Sequence, residues 1–373
     1  MSAPREELDG RAPSEPRSAP RTIHIVALPG DGIGPEVCRE ALRVVALASK
    51  RARAKLSVTE RPIGGAAIDA HGHPFPPSTR EACVGADAVL LGAVGGPKWD
   101  ALPPEERPEK GLLELRRALG VFANLRPVKA RDALLSASPL RPAIVGGTDL
   151  VIVRELLGDV YFGEPRGIER APRRAFNTMV YTEEEVRRVA IVAFDLARTR
   201  RRLVTSVDKA NVLETSRLWR DVVTEVSRGY HDVELRHALV DSCAMDLVRR
   251  PHIFDVVLTS NLFGDILSDE AAVLAGSIGV LPSASVGNGP GLYEPIHGSA
   301  PDIAGRGVAN PLGAIASAAE MLRRSLGLPE LGDMIDCAID RVLDEGRRTA
   351  DLGGDVSTEQ MGGFVCQVLE QLL

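Results

Sequence analysis

The chain of 373 residues predicts an α/β protein built on a largely parallel or mixed sheet. Three observations predict it. Short apolar runs alternate with amphipathic stretches of helical period, the pattern of strands covered by helices. Aromatic residues make up only 4% of the chain, so its core is built from Val, Ile, Leu and Ala. The length suits two domains, yet no repeat or low-complexity linker interrupts residues 22–373, so the two are read as interleaved rather than strung in series.

Each element has its own signal. Ile23 to Leu28 is an apolar, β-rich run closed by Pro29-Gly30. From Glu36 to Lys50, Val37, Ala41, Val44, Val45 and Ala48 recur at helical spacing. Ala88 to Val94 reads as a second buried strand, and the polar, Pro-rich 97–110 as a surface loop. Leu112 to Leu119 reads as helix. Ala143-Ile144-Val145 and Leu150 to Val153 read as further strands. Thr182 followed by Glu183, Glu184 and Glu185 is an N-cap with acids in the first turn, opening a helix through Arg198. Strands follow at Leu203 to Val207 and Phe254 to Thr259, then a helix from about Leu262 and helices near 311–326 and 331–346.

Composition excludes several classes. The net charge of −6 gives no global reason to bind nucleic acid or an anionic membrane. No apolar run reaches the roughly 18–20 residues that span a bilayer. The five cysteines are scattered and odd in number, without CxxC or zinc spacing, so a reducing, cytoplasmic setting is the better reading. Residues 1–21 are rich in Pro, Arg, Ser and Glu and read as a disordered tail: they have no apolar stretch for a secretory signal, and their acids argue against a transit peptide.

Gly30-Asp31-Gly32-Ile33-Gly34-Pro35-Glu36 follows the first strand but is not the GxGxxG of a Rossmann fold. The region where a ribose-binding acid would be needed is basic and helical. These glycines read as a tight strand-to-helix turn with Pro35 at the helix start.

Asp265 and Asp269, at i and i+4, fall on one helical face about 6 Å apart at Cβ. Two unneutralised acids repel, and oxygen ligands suit Mg²⁺ or Mn²⁺; the alternative is a solvated acidic face. Arg116, Arg126 and Arg154 sit in apolar neighbourhoods, where a guanidinium needs a partner. Either a carboxylate substrate or an internal salt bridge fills that need. Lys209 lies just beyond a strand, and Tyr161 lies in Val160-Tyr161-Phe162-Gly163. Each is a proton carrier if tuned, and otherwise structural. The glycine-bearing loop around His297 can cradle phosphate and ribose through backbone N–H groups, or it is plain surface.

The strings Phe122-Ala123-Asn124-Leu125-Arg126-Pro127, Val207-Asp208-Lys209-Ala210-Asn211, Gly264-Asp265-Ile266-Leu267-Ser268-Asp269 and Glu294-Pro295-Ile296-His297-Gly298-Ser299-Ala300-Pro301-Asp302 together closely resemble the β-decarboxylating dehydrogenase family. The match runs from about residue 22 to the C-terminus. The resemblance implies the isopropylmalate dehydrogenase-like fold, not a Rossmann fold, with mixed sheets and flanking helices. It implies one domain of 22–121 plus 276–373 that binds cofactor, and another of 122–275 that carries dimer, metal and substrate contacts. The active site would be shared across a homodimer.

By the same resemblance, Arg116, Arg126 and Arg154 clamp the malate carboxylates. Asp265 and Asp269, with Asp241 of the partner subunit, hold Mg²⁺ or Mn²⁺. Lys209 of the partner subunit helps remove the hydroxyl proton while NAD accepts hydride, and Tyr161 protonates the enol carbon after CO₂ leaves. Leu112, Leu113 and Val212 of the partner subunit line an apolar pocket for an isopropyl group, with Glu109 near substrate and nicotinamide ribose. The implied reaction is oxidative decarboxylation of 3-isopropylmalate to 4-methyl-2-oxopentanoate, in leucine biosynthesis.

His297, Gly298, Ser299, Ala300, Asp302 and Asn310 are the implied cofactor residues. His297 and Asn310 meet adenine, and Asp302 accepts from the ribose hydroxyls. A 2′-phosphate would meet a like charge at Asp302, which favours NAD over NADP. Rival readings are an isocitrate, homoisocitrate, tartrate or malate enzyme, of which Leu112-Leu113 argue strongly against isocitrate and moderately against tartrate, and a non-catalytic regulatory paralogue. The latter would be expected to lack a metal acid or proton carrier, whereas Asp241, Asp265, Asp269, Lys209 and Tyr161 are all present. Gly158-Asp159-Val160, before Tyr161, is more acidic than the family pattern suggests.

Overall fold

The computed structural model describes residues 22–52 and 55–373, so the tail predicted for 1–21 lies outside the described residues. The strands are β1 (Thr22–Gly30), β2 (Lys55–Glu60), β3 (Ala88–Ala93), β4 (Val121–Lys129), β5 (Asp149–Glu155), β6 (Gly167–Arg170), β7 (Arg173–Phe176), β8 (Leu203–Asp208), β9 (Glu234–Leu239), β10 (Val256–Thr259), β11 (Pro282–Gly287) and β12 (Gly291–Pro295). All but β6 and β7 join one ten-stranded sheet in the order β2-β1-β3-β12-β11-β4-β5-β10-β8-β9. β11 runs antiparallel to both β12 and β4, and β4 runs antiparallel to β5. The outer pairings are parallel. The sheet is therefore mixed at its centre and parallel on both wings. β6 and β7 form a separate antiparallel ribbon.

The helices are α1 (Gly34–Arg51), α2 (Gly64–His71), α3 (Pro77–Val84), α4 (Pro108–Leu119), α5 (Pro142–Val145), α6 (Glu183–Arg198), α7 (Glu214–Ser227), α8 (Val240–Arg249), α9 (Asn261–Ala272), α10 (Leu312–Arg324), α11 (Pro329–Asp344) and α12 (Thr358–Leu372). Every residue of β3 and β10 is buried, as parallel strands covered on both faces require. α1 packs on α10 and α12 over one wing, and α6 packs on α7 and β10 over the other. The core is largely Val, Ile, Leu and Ala, with Trp219, Tyr293 and Phe194 the largest fully buried side chains.

The predicted turn after β1 is present, with Pro in the first turn of α1. Its glycines serve close packing. Gly32 has φ +58°, and a Cβ there would lie 1.9 Å from the Ser299 carbonyl oxygen. Ile33 N–H donates to that same oxygen at 2.8 Å. The turn is thus stitched to the loop after β12. Thr182 caps α6 through a full capping box with Glu185, as its sequence predicts.

One expected strand is corrected. Ala143-Ile144-Val145 lies in the short helix α5, which starts at Pro142 and ends at Val145, capped by Gly146. Three apolar residues between a proline and a glycine pair, two of them β-branched, are too short a run to distinguish strand from helical turn. The expected loop at 97–110 also holds more order: it contains a 3₁₀ turn at Pro97–Trp99 and the first residues of α4. Among the described residues no helix is long and apolar enough to cross a membrane. All five cysteines are free.

Candidate functional site

The β4–β5 ladder sets the site. Asn124 stands opposite Arg154 and Arg126 opposite Ile152, so the two arginines are diagonal neighbours on one face. Both are buried, as is Arg116 near the end of α4. A buried guanidinium must be hydrogen-bonded, and each finds partners. Arg126 Nε donates to Asn124 Oδ1 at 2.8 Å, and its Nη1 donates to Ser268 Oγ at 2.6 Å. Arg154 Nε donates to Asn261 Oδ1 at 2.9 Å. Arg116 Nη2 pairs with Glu294 Oε1 at 3.1 Å, while its Nε is buried without a partner among the described residues.

Asp265 and Asp269 project from α9 toward these arginines, confirming the predicted helical face. Arg126 lies 3.3 Å from Asp269 Oδ1 and 3.6 Å from Asp265 Oδ1. Arg154 Nη1 bonds Asp265 Oδ1 directly. Tyr161, in a 3₁₀ turn, donates to Asp265 Oδ2 at 2.7 Å. Gly264 is what lets α9 approach, since a Cβ there would lie 2.6 Å from Arg154 Cγ.

The electrostatics follow. Burial pushes Asp265 up, but Arg154, the Tyr161 hydrogen bond and Arg126 outweigh it and hold the carboxyl below its ordinary value. Burial pushes Asp269 up more than Arg126 draws it down, and the neighbouring Asp265 charge adds to the rise. Burial, with Arg126 beside it, lowers Arg154 to about 10. Burial and the Asp265 hydrogen bond raise Tyr161, so it stays a neutral phenol with a proton to give.

Two cavities meet at α4. One, of about 190 Å³, is lined by Leu112, Arg116, Arg126 and the His297-Gly298 turn. The other, of about 600 Å³, is lined by Leu113, Glu109, Arg117 and Tyr161. The two leucines are half-buried: Leu112 lines the smaller cavity while also packing against the core beneath α4, and Leu113 lines the larger one. Glu109 is exposed, and its Oε1 would lie 2.7 Å from a Cβ at Gly95.

A third cavity, of about 320 Å³, lies between the turn after β1 and the loop after β12. Ile33, Ile278, Ala300, Ile303 and Val308 give it apolar walls suited to a flat aromatic ring. His297 bonds the Gly298 carbonyl through Nδ1 at 2.9 Å, so Nδ1 carries the proton and Nε2 is an acceptor. Among the described residues that Nε2 is buried with no partner, and burial lowers the imidazole's pKa, so the ring is neutral. Asn310 lines the same cavity, with Nδ2 on Asp351 at 3.0 Å and Oδ1 accepting Leu312 N–H. Ser299 is buried, and Asp302, between the lining residues Ala300 and Ile303, is exposed.

Lys209 and Asp241 pair with each other, Lys209 Nζ lying 2.6 Å from Asp241 Oδ1, and Val212 is 61% exposed. Among the described residues no hydrogen bond or ion pair joins this pair to Asp265, Asp269 or Tyr161, and no three His, Cys, Asp or Glu side chains of the one chain form a metal-holding group.

Several residues of the site escaped sequence reasoning. Asp31 is buried and accepts N–H bonds from Gly65, Ala66 and Gly95, tying α2 and the Gly95 loop to the first turn. Asn124, Ser268, Asn261 and Glu294 hold the arginines. All but Asp31 and Asn261 lie inside the motif strings, where a polar residue among apolar neighbours was the available signal.

Similarity to known proteins agrees with this geometry. Residues 24–365 match the family described as isocitrate/isopropylmalate dehydrogenase. The chain is 59% identical over 353 residues to the 3-isopropylmalate dehydrogenase of Nitratidesulfovibrio vulgaris, covering 92% of this chain and 99% of that one. It is 52% identical over 354 residues to the enzyme of that name from Aquifex aeolicus, covering 93% and 97%. Its fold matches the crystal structure of isocitrate dehydrogenase from Methylococcus capsulatus with a TM-score of 0.84 and 33% identity, covering 94% of this chain and all of that one. A β-decarboxylating dehydrogenase from Thermococcus kodakarensis matches with a TM-score of 0.79 and 38% identity, covering 94% and 97%. The chain belongs to the isocitrate/isopropylmalate dehydrogenase family of enzymes.

Proposed function

We propose that the chain catalyses NAD-dependent, metal-assisted oxidative decarboxylation of 3-isopropylmalate to 4-methyl-2-oxopentanoate, the leucine precursor. The observation that carries this reading is the cluster of Arg126 and Arg154 on Asp265 and Asp269, with the Tyr161 hydroxyl on the same Asp265. Its charges are balanced internally. A dicarboxylate and a divalent cation add no net charge on entry, so each arginine exchanges an acid for a substrate carboxylate and each acid gains a cation.

The donor set fits such a cation. Asp265 and Asp269 offer hard carboxylate oxygens on one face, which suit Mg²⁺ or Mn²⁺. Asp241 of the partner subunit would complete the set, since within one chain Asp241 is paired with Lys209. When bound, the cation supplies Lewis acidity at the substrate oxygen, and NAD supplies the hydride acceptor.

The chain's own groups do the rest. Arg116, Arg126 and Arg154 orient the carboxylates. Lys209 of the partner subunit takes the hydroxyl proton. Tyr161, a neutral phenol, gives a proton to the enol carbon once CO₂ has left. Leu112 and Leu113, with Val212 of the partner subunit, shape an apolar wall for isopropyl. The half-buried leucines and the 61% exposed Val212 support this division.

The apolar slot and the free Nε2 acceptor of His297 support adenine binding there, flanked by Gly298, Ser299, Ala300 and Asn310. The exposed Asp302, next to the lining residue Ile303, would accept from ribose hydroxyls and disfavour a 2′-phosphate. In this reading the wing of 22–121 plus 276–373 binds cofactor, 122–275 forms the dimer, and the enzyme works in the cytoplasm, where its five free thiols persist.

A substrate panel tests the assignment. Purified protein with Mg²⁺ is given 3-isopropylmalate, isocitrate, malate or tartrate, with NAD or NADP. Preferred NADH formation from 3-isopropylmalate is the expected result. Faster turnover of isocitrate or tartrate would overturn the reading of Leu112 and Leu113.

A further inference from the structure

Asp159 stands two residues before Tyr161 with φ +72°, a left-handed conformation uncommon outside glycine. Its side chain is fully buried. A strained, buried carboxylate persists only where its surroundings over-determine it, and here all its polar atoms are engaged. Its Oδ1 accepts Val160 N–H at 2.7 Å, and its Oδ2 accepts Leu262 N–H at 3.1 Å. Tyr181 Oη lies 3.4 Å from Oδ2 and itself accepts Asn261 N–H at 2.9 Å. The Asp159 backbone N–H donates to Val180 O, and its carbonyl accepts from Phe162 and Gly163 N–H.

The two acceptors satisfy the first N–H groups of α9. Ser260, at the N-cap position, makes no side-chain cap, so the cap is borrowed from Asp159 and Tyr181. A carboxylate there also suits the positive end of the helix dipole. Asn261 returns the link by donating to Gly158 O at 3.2 Å, while its Oδ1 holds Arg154 Nε. Asp265 lies one turn further along α9 and receives the Tyr161 hydroxyl.

We propose that Asp159 is a positioning residue for Tyr161: by tying the Asp159–Tyr161 turn to the first turn of α9, it holds the phenol on Asp265. This deepens the proposed function and rests on Tyr161 being the proton donor to carbon.

The test isolates that proton. Wild type, Asp159→Asn, Asp159→Gly and Tyr161→Phe are incubated in D₂O with 4-methyl-2-oxopentanoate, Mg²⁺ and NADH. Solvent deuterium entering C3 is followed by NMR. In this exchange one C3–H proton leaves to form the enol and one deuteron returns to C3 through Tyr161; nothing is oxidised or reduced. Glycine keeps the backbone conformation and deletes the carboxylate, whereas asparagine tolerates the conformation and retains an acceptor for Leu262 N–H.

Exchange is expected to fall about threefold in Asp159→Asn and about tenfold or more in Asp159→Gly, with KM for 3-isopropylmalate in NADH formation within about twofold. Wild-type exchange in both variants would overturn the proposal, as would a loss that tracks an equal rise in KM. Should Asp159→Gly fail to fold, the Asp159→Asn result decides alone. If Tyr161→Phe abolishes exchange while the Asp159 variants keep it, only the positioning role fails. If Tyr161→Phe exchanges at the wild-type rate, the role of Tyr161 fails and takes this proposal with it. No exchange in wild type would overturn the proposed function itself.

Discussion

The Tyr161 hydroxyl donates to Asp265 Oδ2 at 2.7 Å, while Oδ1 of the same carboxylate faces Arg154 and Arg126. One aspartate thus touches the proposed proton donor and two proposed substrate clamps. Changes at any of these residues are coupled to the others through it.

Arg154→Lys is the sharpest test of the clamp. Arg154 is 3% exposed and divides its fork between Asn261 and Asp265. A lysine is a point charge that cannot reproduce that geometry. Activity is expected to fall by about 10²-fold or more in kcat/KM. Thermal unfolding should show a loss of about 1–3 kcal/mol from the orphaned Asn261 acceptor. Near-normal kcat/KM in Arg154→Lys would show that a bidentate contact is not needed.

Acid should weaken the same pair. Arg154, the Tyr161 hydrogen bond and Arg126 overcome burial and hold Asp265 below its ordinary 3.8. A depressed folded value stabilises above the unfolded value and is lost as pH falls through the folded one. The Tm gap between wild type and Asp265→Asn is therefore expected to be full above about pH 5 and to narrow below the ordinary carboxyl value. A gap that widens on acidification would contradict the sign.

Selectivity should follow the leucines. Leu112→Ala opens the wall proposed to meet the isopropyl group, and apolar discrimination is worth about 1–3 kcal/mol per group. The expected result is a fall of roughly 10- to 100-fold in kcat/KM for 3-isopropylmalate, with a smaller change for malate. Equal losses for both would place Leu112 outside the substrate wall.

Cofactor preference should follow Asp302. Asp302→Ser removes the charge proposed to repel a 2′-phosphate, so KM for NADP is expected to fall while KM for NAD rises. An unchanged ratio of kcat/KM for the two cofactors would remove Asp302 from the ribose site.

The buried wings of the fold were legible because fully buried strands leave uninterrupted apolar runs, as β3 and β10 do. The edge strands β2 and β9 were not, because their sequences KLSVTE and ELRHAL are largely polar and half-exposed. The short helices α2 and α3 hide behind glycine and proline starts, and Ala143–Val145 misled for the reason given above. In the site, the i,i+4 acids on α9 followed from spacing alone. That Arg126 and Arg154 share a face follows only from the antiparallel β4–β5 register, a pairing no local pattern encodes. The capping of α9 by Asp159 and Tyr181 was equally out of reach, since it joins segments about a hundred and about eighty residues apart in the chain.

The central claim is that Asp265 and Asp269 hold a cation on which 3-isopropylmalate oxidation depends. The most direct measurement is NADH formation by chelator-stripped protein with 3-isopropylmalate and NAD, before and after adding Mg²⁺, in wild type and Asp265→Asn. No turnover is expected in stripped wild type, with recovery on adding Mg²⁺ and no recovery in the variant. NADH formation by the stripped enzyme, or full recovery in Asp265→Asn, would contradict the claim.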